Sequence, residues 1–500
     1  MAQAAPIKKF VIVGGGTAGW MAATTLGNIF KNSDVSVEVV ESPAVGVIGV
    51  GEATVPLFVD FIRRAGIDEV DFVKKTQSTF KWGIEFADWR AKGDSYFHSF
   101  GDIGRAIDGH DFYQIWLKQR AGGDTAPLAA HCPETLLARQ GKFYLPFKAA
   151  QTPLANARYA LHLDATLVGR YLADYAQSLG VTRREAHVAR AQQDERGFIK
   201  ALELASGESL TGDFFIDCSG FSGLLIEQTL KAGYEDWSQW LPCDRAVTVQ
   251  SAKASQTAPF TLATAREAGW TWRIPLQSRT GNGYVYSSRF SNDAQARETL
   301  LSALDTEALT EPRVIPFTTG IRRKVWHKNC LALGLAQGFL EPLESTAIHL
   351  VSKSLAHFVR LYPKADCAEV LRDEFNRRLT ADYEEIRDFL VLHYCTTERN
   401  DTEFWRYCRA LELPASLQAK LELFAEQGGL FAGVEDFFQP SSWQMVLTGM
   451  GVIPADYNRT VDALDSAALA RSLHSGASAI ASAVAAQPSH DEFLRQYCLA

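Results

Sequence analysis

Glycines at positions 14, 16 and 19 and a glutamate at 41 are the first residues in the chain whose spacing implies chemistry. In Gly14-Gly15-Gly16-Thr17-Ala18-Gly19 the first glycine permits a tight turn. Gly16 lets the backbone approach a pyrophosphate, and Gly19 lets helix and strand pack closely. The helix read after this turn, Trp20 to Phe30, offers free N–H groups and partial positive charge to phosphate at its N-terminus. Glu41 lies 22 residues after Gly19, where a carboxylate can accept from a ribose hydroxyl. The pattern predicts dinucleotide binding and does not separate FAD from NAD. Asp217-Cys218-Ser219-Gly220 reads equally as a strand end returning to that cofactor and as an ordinary turn. In Phe80-Lys81-Trp82 two aromatics flank an amine, which would be partly desolvated and more reactive. The competing reading is a surface lysine snorkelling past them.

These residues need elements to position them. Lys8 to Val13 reads as a buried strand, Trp20 to Phe30 as a helix, and Val35 to Val40 as a second strand ending at Glu41. Strand, glycine turn, helix, strand and acid within about 35 residues make a βαβ unit. Val45 to Glu52 is rich in Gly and Val and reads as a loop lying against something. Pro56 to Gly66, Glu69 to Thr76 and residues 155 to 180 read as helices. Residues 185 to 217 alternate as strands do, and 245 to 320 are strand-rich. Gly334 to Leu350 reads as strand, loop and helix. From about 350 onward the pattern is mostly helical, with Ala467 to Ala486 a surface helix.

Bulk properties narrow the function classes. With 500 residues the chain is too long for one ordinary core. A net charge of −8 without a basic block excludes nucleic acid and anionic membrane as main partners. No run reaches the roughly 18 apolar residues of a membrane span. The N-terminus lacks a signal peptide's order of basic region, apolar run and cleavage site, so a cytoplasmic location is expected. Eight scattered cysteines without a CxxC argue against zinc or a disulfide framework, so no metal is expected. Eleven Trp and 29 Phe supply core and, for a minority, the lining of an aromatic substrate pocket.

Gly269-Trp270-Thr271-Trp272-Arg273-Ile274-Pro275 shows W-x-W-x-I-P. Together with the glycine turn, this pair resembles the flavin-dependent tryptophan halogenase family. Gly49 to Pro56, Phe80-Lys81-Trp82-Gly83-Ile84, Asp217-Cys218-Ser219-Gly220-Phe221, Gly338 to Thr346 and His393-Tyr394 with Arg399 agree, so the resemblance runs from residue 8 to about 460. It implies an α/β fold: an FAD-binding Rossmann-type domain like that of flavin monooxygenases, with a mixed sheet, plus a mostly helical C-terminal substrate-side subdomain. The expected division is 1–350, a flavin and halide module with substrate-contacting insertions around 80–160, and 351–500, helices that complete the substrate site.

The resemblance further implies that FADH2, supplied by a separate flavin reductase, reacts with O2 to a hydroperoxide. Chloride or bromide attacks this to give hypohalous acid, which reaches Lys81 beside the ring of a small aromatic substrate. Glu344 stabilises the cationic ring and takes its proton; Glu341 is its competitor on the same loop, and helix capping is the structural alternative. The halide sits at the backbone N–H groups of Thr346 and Ala347, where many relatives have Gly in place of Ala347. Val50, Gly51, Ala53, Gly334 and Leu343 join Gly14, Gly16, Thr17, Ala18, Gly19 and Glu41 at the flavin. Val45 to Glu52 is its strap. Trp270, Trp272, Ile274 and Pro275 separate flavin from substrate, and His98, Phe100 and Trp443 meet the substrate ring.

Members that act on free tryptophan clamp its charged groups with a tyrosine pair and a glutamate. The nearest segment here, Asp436-Phe437-Phe438-Gln439, has phenylalanines without hydroxyls, and unmatched charges are costly to bury. An indole-type substrate other than free tryptophan is therefore expected. The rival reading is a flavin monooxygenase acting on an aromatic substrate. A homodimer is left open.

Overall fold

The computed structural model describes residues 5–43 and 51–499. The chain divides into two compact units, each threaded from three segments. Met1–Ser78, Leu163–Ser238 and Pro316–Glu384 form one; Thr79–His162, Gln239–Ile315 and Glu385–Ala500 form the other. This differs from the single cut near residue 350 that the sequence suggests. Strand pairing explains the interleaving: Gly83–Ala87 pairs in parallel with Thr261–Ala265, far away in sequence. Separating such partners would orphan their backbone hydrogen-bonding groups.

In the first unit a six-stranded sheet runs in the order Trp326–His327, Cys330–Ala332, Phe214–Asp217, Lys9–Val13, Ser36–Glu41, Thr182–Glu185. Lys9–Val13 is parallel to both neighbours, with Val13 opposite Asp217 on one side and Val40 on the other. Phe10, Val11 and Ile12 are fully buried, as a parallel strand covered on both faces should be. The helix Thr17–Phe30 packs against the helices Ala165–Ser178 and Ala347–Arg360. Three parallel strands thus end side by side at the glycine turn.

The second unit is built on a seven-stranded sheet ordered Arg313–Pro316, Arg245–Ala252, Arg279–Tyr286, Gly269–Pro275, Thr261–Ala265, Gly83–Ala87, Ser95–Ser99. The Trp-x-Trp-x-Ile-Pro strand is interior, antiparallel to both neighbours. Trp272 lies across from Gly283, and a Cβ there would come within 2.1 Å of its ring. Helices including Phe112–Ala121, Ala415–Gln427, Pro440–Gly449 and Ser466–Ala485 complete the unit, matching the expected helical C-terminal region.

One expected helix is partly a strand. Within 155–180, Ala160–Leu163 pairs antiparallel with Thr79–Lys81, and the helix begins only at Ala165. Asp164 caps it by accepting from the N–H groups of Thr166 and Leu167. The period-two alternation of Ala160-Leu161-His162-Leu163 and the Asp cap were the signals for this break.

Candidate functional site

The cradle in the first unit is made of backbone. Gly14 has φ +114° and a Cβ there would lie 2.2 Å from the Cys218 carbonyl oxygen. A Cβ on Gly19 would lie 2.0 Å from the Gly14 carbonyl oxygen, so the helix can cross the turn only without a side chain. At Gly16 a Cβ would meet nothing among the described residues within 4 Å, so they leave the surface there open. Gly16 is the N-cap of Thr17–Phe30 and no side chain caps it, nor is there an acid in the first turn. The N–H groups at Thr17 and Ala18 therefore face outward with the positive end of the helix dipole. Such an open, electropositive turn fits the pyrophosphate of FAD.

Glu41 ends its strand beside this turn, its carboxylate occupying the position a Gly15 Cβ would take, and it pairs with Arg183 at 2.5 Å. Gly15 and Arg183 thus border Glu41; the triple glycine hinted at the first, and nothing local marked the second. Gly334 (φ +62°) packs on the same helix start, where a Cβ would lie 2.8 Å from that of Ala18. Gly51 is buried with φ +81° and Ala53 is half-buried. Val50 and most of the Val45 to Glu52 strap lie outside the described residues.

Asp217 ends the neighbouring strand opposite Val13, so this strand does return to the cradle. Its carboxylate is fully committed to the fold. It accepts from the Ser219 N–H and hydroxyl and from the N–H groups of Leu225 and Ile226.

The second feature of this unit is a tight turn. Pro342–Glu344 forms a single 3-10 turn, Ser345 takes the left-handed conformation at φ +61°, and the helix Ala347–Arg360 starts with Thr346 as N-cap. A non-glycine residue held at positive φ stores strain of the kind found at functional turns. Leu343, Glu344 and Thr346 are buried, while Ala347 is exposed. Glu344 does not cap the helix; that position belongs to Thr346, and no side-chain cap bond is made there. The Thr346 hydroxyl oxygen is buried and has no hydrogen-bond partner among the described residues. A hydroxyl in that state can donate to an anion, as can the first-turn N–H groups of the helix.

Lys81, in the second unit, is fully buried, which excludes the snorkelling reading. Its sequence neighbours do not flank the amine. Phe80 and Trp82 both turn to the opposite face of the strand, onto Phe143, with ring centroids 4.4 and 4.6 Å away. Alternation along a strand requires this. The amine instead meets the face of Phe100, 5.1 Å from the ring centroid, a cation–π distance. Phe100 is held by its N–H donating to the Trp82 carbonyl at 3.0 Å.

His98 and Trp443 share one aromatic cluster. His98 lies 5.5 Å from Phe389 and 6.1 Å from Phe438. Phe389 stacks on Phe438 at 3.7 Å and receives Trp443 edge-on at 5.0 Å. Glu385 accepts from the N–H groups of Phe437 and Phe438 at 3.0 and 2.9 Å. Burial pushes its carboxyl up to about 7, against the pull of those N–H groups. The double phenylalanine is therefore fixed by its backbone, and its side chains bring no hydroxyl.

Trp270 and Trp272 are buried on one face of their strand, with ring centroids 6.0 Å apart, and Ile274 follows on that face. The Trp272 indole N–H is buried and has no acceptor among the described residues. Pro275 turns its carbonyl to Thr79, whose hydroxyl donates to it at 2.6 Å.

A family model described as "Tryptophan halogenase" matches residues 9–466. The chain is 33% identical to "Tryptophan 6-halogenase ThaL" of Streptomyces albogriseolus and to "Tryptophan 7-halogenase RebH" of Lentzea aerocolonigenes, each over about 490 residues covering 90% of both chains. Among solved structures, BrvH, a flavin-dependent halogenase from Brevundimonas sp. BAL3, is 44% identical with a TM-score of 0.94. It covers 98% of this chain and 99% of its own. Xcc4156, a flavin-dependent halogenase from Xanthomonas campestris, is 42% identical with a TM-score of 0.94 and covers 99% of both chains.

Proposed function

The chain belongs to the tryptophan halogenase family and is a flavin-dependent halogenase; from that premise we propose that Lys81 delivers the halogen and Glu344 takes the proton it displaces, on an indole-type ring other than free tryptophan. The observation that carries this reading is Lys81 itself: a fully buried amine against the face of Phe100, in the Phe-Lys-Trp-Gly context of the family. Aromatic oxygen insertion is not favoured in a family of halogenases.

Reduced FAD, with O2 and halide, supplies hypohalous acid. The Gly14 to Gly19 turn, with the N–H groups of Thr17 and Ala18, holds the FAD pyrophosphate, and Glu41 binds its ribose. Thr346 and Ala347 hold the halide by backbone N–H, and the Thr346 hydroxyl adds a third donor. Trp270, Trp272, Ile274 and Pro275 wall the ring off from the flavin, which leaves halide rather than the substrate to be oxidised. The Lys81 ammonium hydrogen-bonds the oxygen of hypohalous acid. The ring carbon then bonds to the halogen, the O–X electrons go to oxygen, and a proton from Lys81 lets it leave as water. Glu344 stabilises the resulting cation and accepts the ring proton, so the aromatic π system is restored. His98, Phe100 and Trp443 orient the ring. The enzyme takes FADH2 from a separate reductase, as flavin-dependent halogenases in general do.

The substrate class follows from Phe437 and Phe438. A free amino acid brings an ammonium and a carboxylate, each needing partners once desolvated, and neither phenylalanine supplies one. An indole lacking that zwitterion, or carrying its amino-acid groups in amide linkage, satisfies the aromatic cluster without this penalty. The test is a mass-spectrometric assay with FAD, a flavin reductase and NADH, offering indole and tryptophan in bromide and in chloride. A shift by one halogen, larger for indole, is expected. Preference for free tryptophan would overturn the substrate class, and an added oxygen in place of halogen would overturn the reaction.

A further inference from the structure

Lys81 shares its strand face with a set of buried polar groups that the halogen-transfer chemistry does not use. Thr79 is two residues before it and so points the same way. His162 is the direct cross-strand partner of Thr79, and Ala160 is that of Lys81; the small alanine leaves the imidazole as the amine's diagonal neighbour. Both nitrogens of His162 are engaged: Nδ1 lies 3.1 Å from the Thr79 hydroxyl and Nε2 lies 2.9 Å from that of Thr261. The Thr79 hydroxyl is 2.6 Å from the Pro275 carbonyl.

These distances fix the direction of the bonds. Two oxygens 2.6 Å apart need a proton between them, so the single Thr79 proton goes to Pro275. Thr79 can then only accept from His162, and Nδ1 carries the proton. Burial, then the charge of Lys81 and the nearby His490, hold the imidazole well below its usual range, hence neutral. Nε2 is therefore an acceptor and takes the proton of Thr261. The relay runs in one sense, from Thr261 through His162 and Thr79 to Pro275. It joins three strands to the Trp-x-Trp-x-Ile-Pro strand.

We propose that His162 is a positioning residue for Lys81, locking the lysine's strand to the Trp-x-Trp-x-Ile-Pro strand so that the amine intercepts hypohalous acid before it escapes. This rests on the reading of Lys81 as the halogen carrier. A neutral imidazole suits the task because it orders the strand without placing a second cation beside the amine. His490 shows what an ordinary structural histidine does at the same strand: its Nε2 accepts from the Phe80 N–H at 3.3 Å and its Nδ1 lies 2.8 Å from the Thr257 carbonyl, a staple between backbone groups only.

The test measures where the halogen goes. His162→Leu, His162→Gln and Thr79→Val are assayed with the reductase, bromide and indole, with an exogenous β-diketone present to trap free hypobromous acid. His357→Leu, which removes a buried histidine paired with Asp382 at 2.8 Å, serves as a stability control. For His162→Leu the ratio of trapped to ring-bound halogen should rise about 10-fold or more, since a shift of about 1 Å at a reacting group costs up to 10²-fold. His162→Gln, which can donate and accept at the two ends, should recover most of the ratio. Thr79→Val should mimic His162→Leu with little change in melting temperature, which keeps the test open if His162→Leu folds poorly. ¹⁵N-histidine NMR of the flavin-free protein should show His162 neutral with its proton on Nδ1 at pH 6. A ratio that stays at the wild-type value while total output falls, as expected of His357→Leu, would overturn the proposal; so would a His162 protonated at pH 6. Ring product surviving in Lys81→Ala would instead overturn the role of Lys81 itself.

Discussion

In the first unit the cofactor cradle comes from six consecutive residues, Gly14 to Gly19, and works through backbone N–H groups and missing side chains. In the second unit the lysine pocket is assembled from Thr79, Lys81, Phe100, Ala160, His162, Thr261 and Pro275, and works through side-chain direction. The contrast explains which parts respond to which changes. A backbone cradle is insensitive to side-chain chemistry but intolerant of a single methyl. A side-chain pocket tolerates local change but depends on the register of several strands.

The contrast can be broken at Gly19. A methyl there would press on the Gly14 carbonyl oxygen at 2.0 Å, so Gly19→Ala should lose about 3 kcal/mol or more and with it FAD binding. A denaturation curve and a flavin titration check this; an unaffected variant would mean that close packing does not shape the turn. Glu344→Gln keeps shape and removes charge, so halogenation should fall about 10²-fold with FAD affinity unchanged, measured by steady-state kinetics. An unchanged rate would transfer the role to Glu341.

Gly16→Ala separates binding from stability, because a Cβ there meets nothing among the described residues within 4 Å. The fold should keep its melting temperature while FAD binds about 10-fold more weakly, as a methyl stands where the pyrophosphate approaches. Loss of stability instead would make Gly16 a structural glycine.

Glu134 makes stability itself depend on pH. Its carboxyl accepts from the Arg158 N–H at 3.0 Å and lies where a Gly101 Cβ would be. Burial raises it from 4.5 to about 7. The native state then holds a proton that the unfolded chain has released. This stabilisation is complete below about pH 4.5 and is lost as pH rises through 7, at most about 3 kcal/mol. Glu134→Gln should flatten that slope in paired unfolding curves from pH 4.5 to 8. Parallel curves would remove the carboxyl from the account.

Legibility followed the same divide. The cradle was readable because its spacing is local: strand, turn and helix follow one another, and Gly14 and Gly19 make the tight turn and the close packing their positions implied. The lysine pocket was readable only by family resemblance. Phe80 and Trp82 looked like the amine's surroundings because they adjoin it in sequence, yet the strand's alternation turns them away and brings Phe100 in. His162 was hidden inside a stretch read as helix, since its strand exists through pairing with Thr79–Lys81. The interleaved units were hidden for the same reason: a ladder between distant segments leaves no local mark.

Whether Lys81 carries the halogen to the ring is decided by assaying Lys81→Ala and wild type side by side, with reductase, bromide, indole and a β-diketone trap. Lys81→Ala should bind FAD as wild type does and still yield trapped hypobromous acid, while brominated indole falls to background. Brominated indole at more than about 3 per cent of the wild-type amount, a loss of under about 2 kcal/mol, would remove Lys81 from that role.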